Sequence, residues 1–173
     1  MFSGEMTKVT LASVGTEAQF SDAVRLHREL LYGIACSYLR NRSDALEAVQ
    51  EAICRAWIKR TTLKDSKAFK SWIIRILIYV CIDEQRRRKR MVPLEDKDLA
   101  GQVTDIGHGR LEMLSVLERI RPKYRHVLLL KYYNDLTIPD IAAILQKPEG
   151  TVKTWQHKGL KQLRAIMEEE ERA

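Results

Sequence analysis

Apolar residues recur along this chain with helical spacing, at intervals of three and four, over one segment after another, and nowhere with the alternation of a half-buried strand. In residues 17–40, Phe20, Val24, Leu31, Ile34, Ala35 and Tyr38 form one stripe. The triplet Asn41-Arg42-Ser43 interrupts it, and Ser43 or Asp44 is placed to cap a second helix to about residue 59, with Leu46, Val49, Ile53 and Trp57 as its inner face. A polar connector over 60–67, ending in a Ser66 cap, leads into a third helix over 69–91, with Phe69, Ile73, Ile76, Leu77 and Val80 inside. Pro93 closes that helix.

The pattern then lapses. Residues 94–109 (LEDKDLAGQVTDIGHG) combine acids and glycines without an apolar period, as an interdomain linker does. Beyond it, Leu111, Leu114, Leu117 and Ile120 mark a helix, and Pro122 opens another carrying Val127, Leu128, Leu130, Lys131 and Tyr132. Asn134-Asp135 ends it. Thr137 caps a short helix through Leu145, and Gln146-Lys147 makes a tight turn. A long helix follows from about Pro148 to Met167, with Val152, Leu160, Leu163 and Met167 inside, and Glu168 to Glu171 fraying at the unfavourable pole of its dipole. A capped short helix, a tight turn and a longer helix are the sequence form of a helix-turn-helix.

The prediction is an all-α chain of two small helical domains joined by a flexible linker: a disordered leader over 1–15, a first domain over 16–92, the linker over 93–109 and a helix-turn-helix domain over 110–173. At 173 residues the chain has length for one compact domain or two small ones.

Charge narrows the function. Thirty Lys and Arg against 23 Asp and Glu give a net charge of +7, which favours an acidic partner. The basic residues cluster. On the third helix Arg75, Tyr79, Ile82, Arg86 and Arg90 advance by four, three, four and four to share a face, and Arg87 extends the run. Cations beside an aromatic ring suit single-stranded nucleic acid, whose phosphates pair with the charges while an unpaired base stacks on the ring. Lys147, Thr151, Lys153, Thr154, Lys158 and Lys161 line the exposed side of the last helix as donors for phosphates and base edges in a major groove. The second helix inverts the charge, because Asp44, Glu47 and Glu51 stack into an acidic stripe with Gln50 beside it. Such a stripe is either a solvated face or a docking surface for a basic partner.

Other chemistries have little footing. Cys36, Cys54 and Cys81 are odd in number, lack a CxxC pair and sit in apolar patterns, so they read as buried thiols. His27, His108, His126 and His157 are scattered, with no metal-ligand spacing. No paired nucleophile and base and no phosphate-cradling glycine loop is present, so neither an enzyme nor a bound cofactor is expected. The N-terminus lacks signal-peptide order, and the apolar run 72–82 is too short to cross a bilayer and contains Arg75; a cytoplasmic protein is expected.

The segments DALEAVQEAICRAW (44–57), KSWIIRIL (70–77), CID…RRRKR (81–90) and IAAILQKPEGTVKTWQHKGLKQLR (141–164) together resemble the extracytoplasmic-function (ECF) group of the sigma-70 superfamily. The resemblance implies an alternative sigma factor that binds core RNA polymerase through the β′ clamp helices and the β subunit. It would recognise the −35 and −10 promoter elements and promote DNA melting. It implies polymerase contact by Asp44, Glu47, Gln50 and Glu51, and contact with unpaired −10 DNA by Thr61, Thr62, Lys64, Lys67, Arg75, Tyr79, Arg86, Arg87 and Arg90. It implies −35 contact by Lys147, Thr151, Lys153, Thr154, Trp155 and Lys158, and an anti-sigma factor as a further partner, with no small-molecule substrate. Three sites depart from the family pattern, of which Arg121-Pro122 in place of the usual Leu-Pro is a minor change. Tyr79 stands where an asparagine is usual, so stacking replaces a hydrogen bond to a −10 base; Trp155-Gln156 replaces the common Arg-Leu, leaving Trp155 either turned into the core or against DNA. The competing reading is a stand-alone helix-turn-helix regulator, for which an acidic docking stripe has no use.

Overall fold

A computed structural model describes residues 14–91 and 108–173. The leader through residue 13, Pro93 and most of the expected linker lie outside the described residues. Every regular element among the described residues is helical.

Helix α1 (Glu17–Leu39) opens with a capping box: the Thr16 hydroxyl accepts from the Gln19 amide, and the Gln19 side chain accepts from the Thr16 amide. It stops at Arg40, whose φ of 56° is left-handed, and α2 (Arg42–Lys59) begins at once. Its cap is Asn41, accepting from the Asp44 amide, rather than Ser43 or Asp44. Short 3₁₀ turns at Arg60–Thr62 and Ser66–Ala68 then lead to α3 (Phe69–Met91), and Asp65, not Ser66, caps the second turn through the Lys67 amide. The third helix has the expected bounds.

The inner face of α2 differs from the sequence expectation. Ala45, Ala48, Val49, Ala52 and Ala56 are buried, whereas Leu46 is 47% exposed and Ile53 and Trp57 are only half-buried. Alanines carry little hydrophobic signal, yet a helix lined with them can sit close against α1 and α3, so the smaller residues took the core. Phe20 bridges the three helices, its ring 5.2 Å from Trp57 and 5.9 Å from Phe69, edge-on to both.

The second module comprises α4 (His108–Leu117), α5 (Pro122–Leu128), α6 (Ile138–Leu145) and α7 (Glu149–Arg172). Helix α4 starts at His108, two residues before the expected domain edge. Leu114, Leu117 and Ile120 are buried; the Leu111 side chain lies outside the described residues. A π-helical turn at Leu129–Tyr133 extends α5, and Asn134 and Asp135 end it, Asp135 at φ 52°. Thr137 and Asp140 form the capping box of α6, and Gln146 makes the left-handed turn into α7. Val152 is buried, and Gly159 is buried against α5, where a Cβ would lie 3.1 Å from Leu128 Cδ1. Leu160 and Met167, expected inside, are 38% and 40% exposed. The terminal acids do not fray: α7 continues to Arg172, because Arg119 of the segment after α4 reaches Glu170 at 2.8 Å and Glu169 at 3.6 Å.

The two modules are pressed together, with their buried residues forming one contiguous core. Tyr38 of α1 and His126 of α5 share a hydrogen bond of 2.7 Å, and the Arg40 guanidinium donates to the Leu114 carbonyl at 2.6 Å and pairs with Glu118 at 2.9 Å. The Asn134 amide donates to the Ser37 hydroxyl at 3.3 Å, beside Gly33, where a Cβ would meet only Asn134 Oδ1 at 3.4 Å. From α3, Arg75 and Lys70 reach α6.

Candidate polymerase and nucleic-acid interfaces

The acidic stripe lies along a groove of about 360 Å³ between α2 and α3. Glu47, Gln50 and Glu51 are exposed and Asp44 is half-buried. The stripe is not bare acid. Arg88 of α3 pairs with Asp44, Arg55 bonds Glu51 at 2.6 Å, and the same Arg55 lies 3.7 Å from Asp83. Asp83 and Glu84 of α3 thus join this groove, a pairing invisible to the periodicity of either helix alone. Glu84 also holds Arg87 at 2.8 Å, and this hydrogen bond raises the Arg87 pKa further.

The residues expected at unpaired DNA fall into two groups. Thr61, Thr62, Lys64 and Lys67 are exposed in the connector, with the Thr62 hydroxyl donating to the Lys59 carbonyl at 2.7 Å. On α3, Tyr79 is 59% exposed, a high value for a mid-helix aromatic, and Arg86 and Arg90 are exposed along the same face. Arg75 is different: Nε donates to the Ile144 carbonyl at 2.9 Å and a terminal nitrogen to Ala143 at 2.7 Å. The basic run is therefore graded, with Arg87 and Arg88 turned to acids of α2 and α3 and Arg86 and Arg90 on the exposed face.

In the helix-turn-helix, Lys147, Lys153, Thr154 and Lys158 are exposed and Thr151 is half-buried. The Thr154 hydroxyl donates back to the Gly150 carbonyl at 3.0 Å, which leaves its oxygen as an acceptor. Trp155 packs half-buried against the core, with the Lys123 ammonium 5.7 Å from its ring. Gln156 donates to the Tyr132 hydroxyl at 2.8 Å, so the polar residue in a usually apolar slot has a partner. Behind this surface, Met113, Leu117, Leu128, Tyr132, Tyr133, Leu160 and Leu163 line an apolar groove of about 230 Å³.

Cys36 and Cys81 are buried thiols as expected, and burial pushes Cys81 up to about 12; Cys54, however, is exposed on the outer side of α2. Among the described residues no cluster could hold a metal ion, and no helix is long and apolar enough to cross a membrane.

A helical module with an acid-lined groove and an aromatic-basic helix, joined to a helix-turn-helix, defines a two-part nucleic-acid-binding factor. The models for Sigma-70 region 2 and Sigma-70, region 4 match residues 23–91 and 110–163 respectively. The chain is 30% identical over 168 residues to the ECF RNA polymerase sigma factor SigW of Bacillus subtilis, covering 87% of this chain and 89% of SigW. It is 27% identical over 158 residues to the RNA polymerase sigma factor SigV of the same organism, covering 90% and 95% of the two chains. Among solved structures the fold matches CnrH in complex with the cytosolic domain of CnrY, with a TM-score of 0.67 at 20% identity over 89% of this chain and 90% of that one. It also matches the sigma factor RpoE in complex with the anti-sigma factor NepR from Bartonella quintana, with a TM-score of 0.61 at 19% identity over 86% and 96%. The chain belongs to the ECF group of RNA polymerase sigma factors.

Proposed function

We propose that this alternative sigma factor divides its work among three surfaces. The acidic groove, with Asp44, Glu47, Gln50 and Glu51, docks on the β′ clamp helices of core RNA polymerase. The connector, with Thr61, Thr62, Lys64 and Lys67, and α3, with Tyr79, Arg86 and Arg90 on its exposed face and Arg75 and Arg87 once freed from their contacts to α6 and Glu84, hold the non-template strand of the melted −10 element. The turn and first half of α7 engage the −35 duplex through Lys147, Thr151, Lys153, Thr154 and Lys158, with Trp155 among them holding the helix in place. The observation that carries this reading is the separation of charge within the first module: acids on α2, exposed arginines and Tyr79 on α3.

Unstacking a base costs a few kcal/mol. A ring projecting from a rigid helix and flanked by cations supplies that energy by stacking and phosphate contact. At the usual asparagine position, Tyr79 recognises the face of a base rather than its edge, so it selects for stacking strength more than for one donor and acceptor pattern. Trp155 acts from its half-buried seat by fixing α7 against α5, leaving the flanking lysines and threonines to meet DNA. The apolar groove beside Leu160 has the composition of a protein contact and suits the polymerase β subunit or an anti-sigma factor. The factor works in the cytoplasm with the polymerase, performs no bond-making chemistry of its own, and divides into a first domain over 16–92 and a second that opens with α4 at His108.

Run-off transcription with core polymerase, with and without the protein, over a genomic fragment library tests the whole reading. Discrete transcripts that depend on the protein are expected, and their upstream sequences give the promoter. A library with no protein-dependent transcript refutes initiation by this chain.

A further inference from the structure

Four cations converge on one concavity outside the polymerase, −10 and −35 surfaces. Arg40 beyond the end of α1, Arg88 and Lys89 of α3 and Arg125 of α5 line a cleft of about 370 Å³. Among the described residues that line it, Glu118 alone carries a carboxylate. Two of the cations are already engaged. Arg40 pairs with Glu118 at 2.9 Å, and Arg88 pairs with Asp44 and, at 3.2 Å, with Glu84. The other two are not neutralised. Lys89 is exposed with no ion pair or hydrogen bond among the described residues, and Arg125 donates to a neutral acceptor, the Glu118 carbonyl, at 3.2 Å. Like charges gathered in a cleft with protein walls repel one another, and their summed field draws small anions in. His126 beside Arg125 registers that field, since burial first and then the Arg125 charge lower its pKa to about 4.

Helix geometry separates this cleft from the face given to unpaired DNA. At 3.6 residues per turn, Gln85, Arg88 and Lys89 lie roughly 80–180° around α3 from Tyr79, Arg86 and Arg90, so a strand stacked on Tyr79 runs along another side of the helix. Gln85 fixes the floor: its amide donates to the Tyr38 carbonyl at 2.6 Å and ties α3 to the end of α1. The shape agrees, because the volume falls near the lower end of the range for small-molecule sites, whereas a strand needs a groove that tracks its backbone.

We propose that the cleft binds a small free phosphate compound carrying at least two negative charges, of the chemical class of a diphosphate. Lys89 and the unengaged N–H groups of Arg125 hold the phosphate oxygens through charge-assisted hydrogen bonds, while the paired Arg40 and Arg88 add to the attraction from the walls. Two uncompensated cations match two anionic charges; a monovalent anion leaves one cation unanswered.

The full-length protein is titrated with inorganic pyrophosphate by calorimetry at about 0.15 M salt, where exposed charges beyond a Debye length are screened. One pyrophosphate per chain is expected, and the absence of saturable heat overturns the site. Lys89→Gln breaks no bond of the folded chain and should weaken binding about tenfold, and Lys89→Gln with Arg125→Gln should weaken it further. Arg28→Gln with Lys59→Gln removes the same charge from exposed positions elsewhere and should leave the affinity unchanged. Equal losses in the two double variants would reduce the binding to net charge and overturn the cleft. A fluorescent oligothymidine bound to the protein is then challenged with saturating pyrophosphate. Retained oligothymidine is expected; displacement that disappears in Lys89→Gln would overturn the small-molecule site and give the cleft to a nucleic-acid backbone.

Discussion

Acidification should weaken the folded chain through one ring. His126 is packed between modules against Tyr38, and burial, with the neighbouring Arg125 charge adding to it, lowers its pKa from 6.5 to about 4. Burial also raises the Tyr38 hydroxyl, so the phenol stays protonated and cannot offset a charge on the imidazole. The folded state binds this proton more weakly than the unfolded one. The stabilisation is therefore complete above pH 6.5 and is lost as the pH falls towards 4. At pH 4.5 a solvent-exposed imidazole is almost fully charged and the packed one only about a quarter charged, a difference of about 2.5 kcal/mol at 1.36 kcal/mol per pKa unit. Asp140 does not confuse this window. Burial alone would raise its carboxyl, but the Thr137 hydroxyl and amide, with Lys70, hold it below its ordinary 3.8, so its contribution is lost at lower pH still. Urea titrations followed by circular dichroism at steps from pH 7.5 to 4.5 would measure the effect. Wild type should lose on the order of 2.5 kcal/mol and His126→Gln much less over the same interval. Equal losses in the two proteins would refute the role of this ring.

Charge reversal at Glu47 and Glu51 should abolish binding to core polymerase while the helical spectrum stays unchanged; pull-down with core enzyme checks it, and retained binding would leave the acid groove a solvated face. Neutral replacements of Arg86 and Arg90 should flatten the salt dependence of promoter-complex formation by about 0.7 for each phosphate no longer neutralised, while Arg87→Gln, already engaged by Glu84, should change it less. Equal slopes for all three variants would contradict the grading of the basic run. Gly159→Val should lower the stability of the second module by about 1–3 kcal/mol in thermal melts, because the added atoms meet Leu128 and Tyr124 within 3.2 Å. An unchanged melting temperature would mean that α5 and α7 yield more easily than their packing indicates.

Much of this architecture was legible because its signals are local. The bounds of α3 follow from an apolar run that passes into arginines, and the helix-turn-helix from a Thr137 cap and a turn at Gln146. The acid stripe followed from spacing on a single helix. What escaped was small or distant. Four alanines displaced Leu46 from the core of α2, since side-chain size governs how closely helices approach while hydrophobicity alone marks the larger residue. The Asn41 and Asp65 caps lay one to three residues from their expected places, because each competing Ser or Asp can accept the same kind of backbone bond. The partners of Arg75 lie 68 and 69 residues away, beyond any periodic pattern, and the acids at the end of α7 gained Arg119 from 50 positions upstream. The exposed Cys54 shows the same limit, for an apolar neighbourhood in sequence became an outward face in space.

The alanine stripe of α2 also bears on how such a factor can diverge. Because Ala45, Ala48, Ala52 and Ala56 carry the packing, the outward positions of that helix owe nothing to the core. In the docking role proposed for Glu47, Gln50 and Glu51, selection can rewrite them to follow a changing polymerase surface, one residue at a time, while the helix stays where it is. A larger residue in the stripe would move the whole acid groove away from α3 and its arginines at a stroke. The stripe is thus where the chain tolerates least, and the surface it supports is where new partners can be acquired.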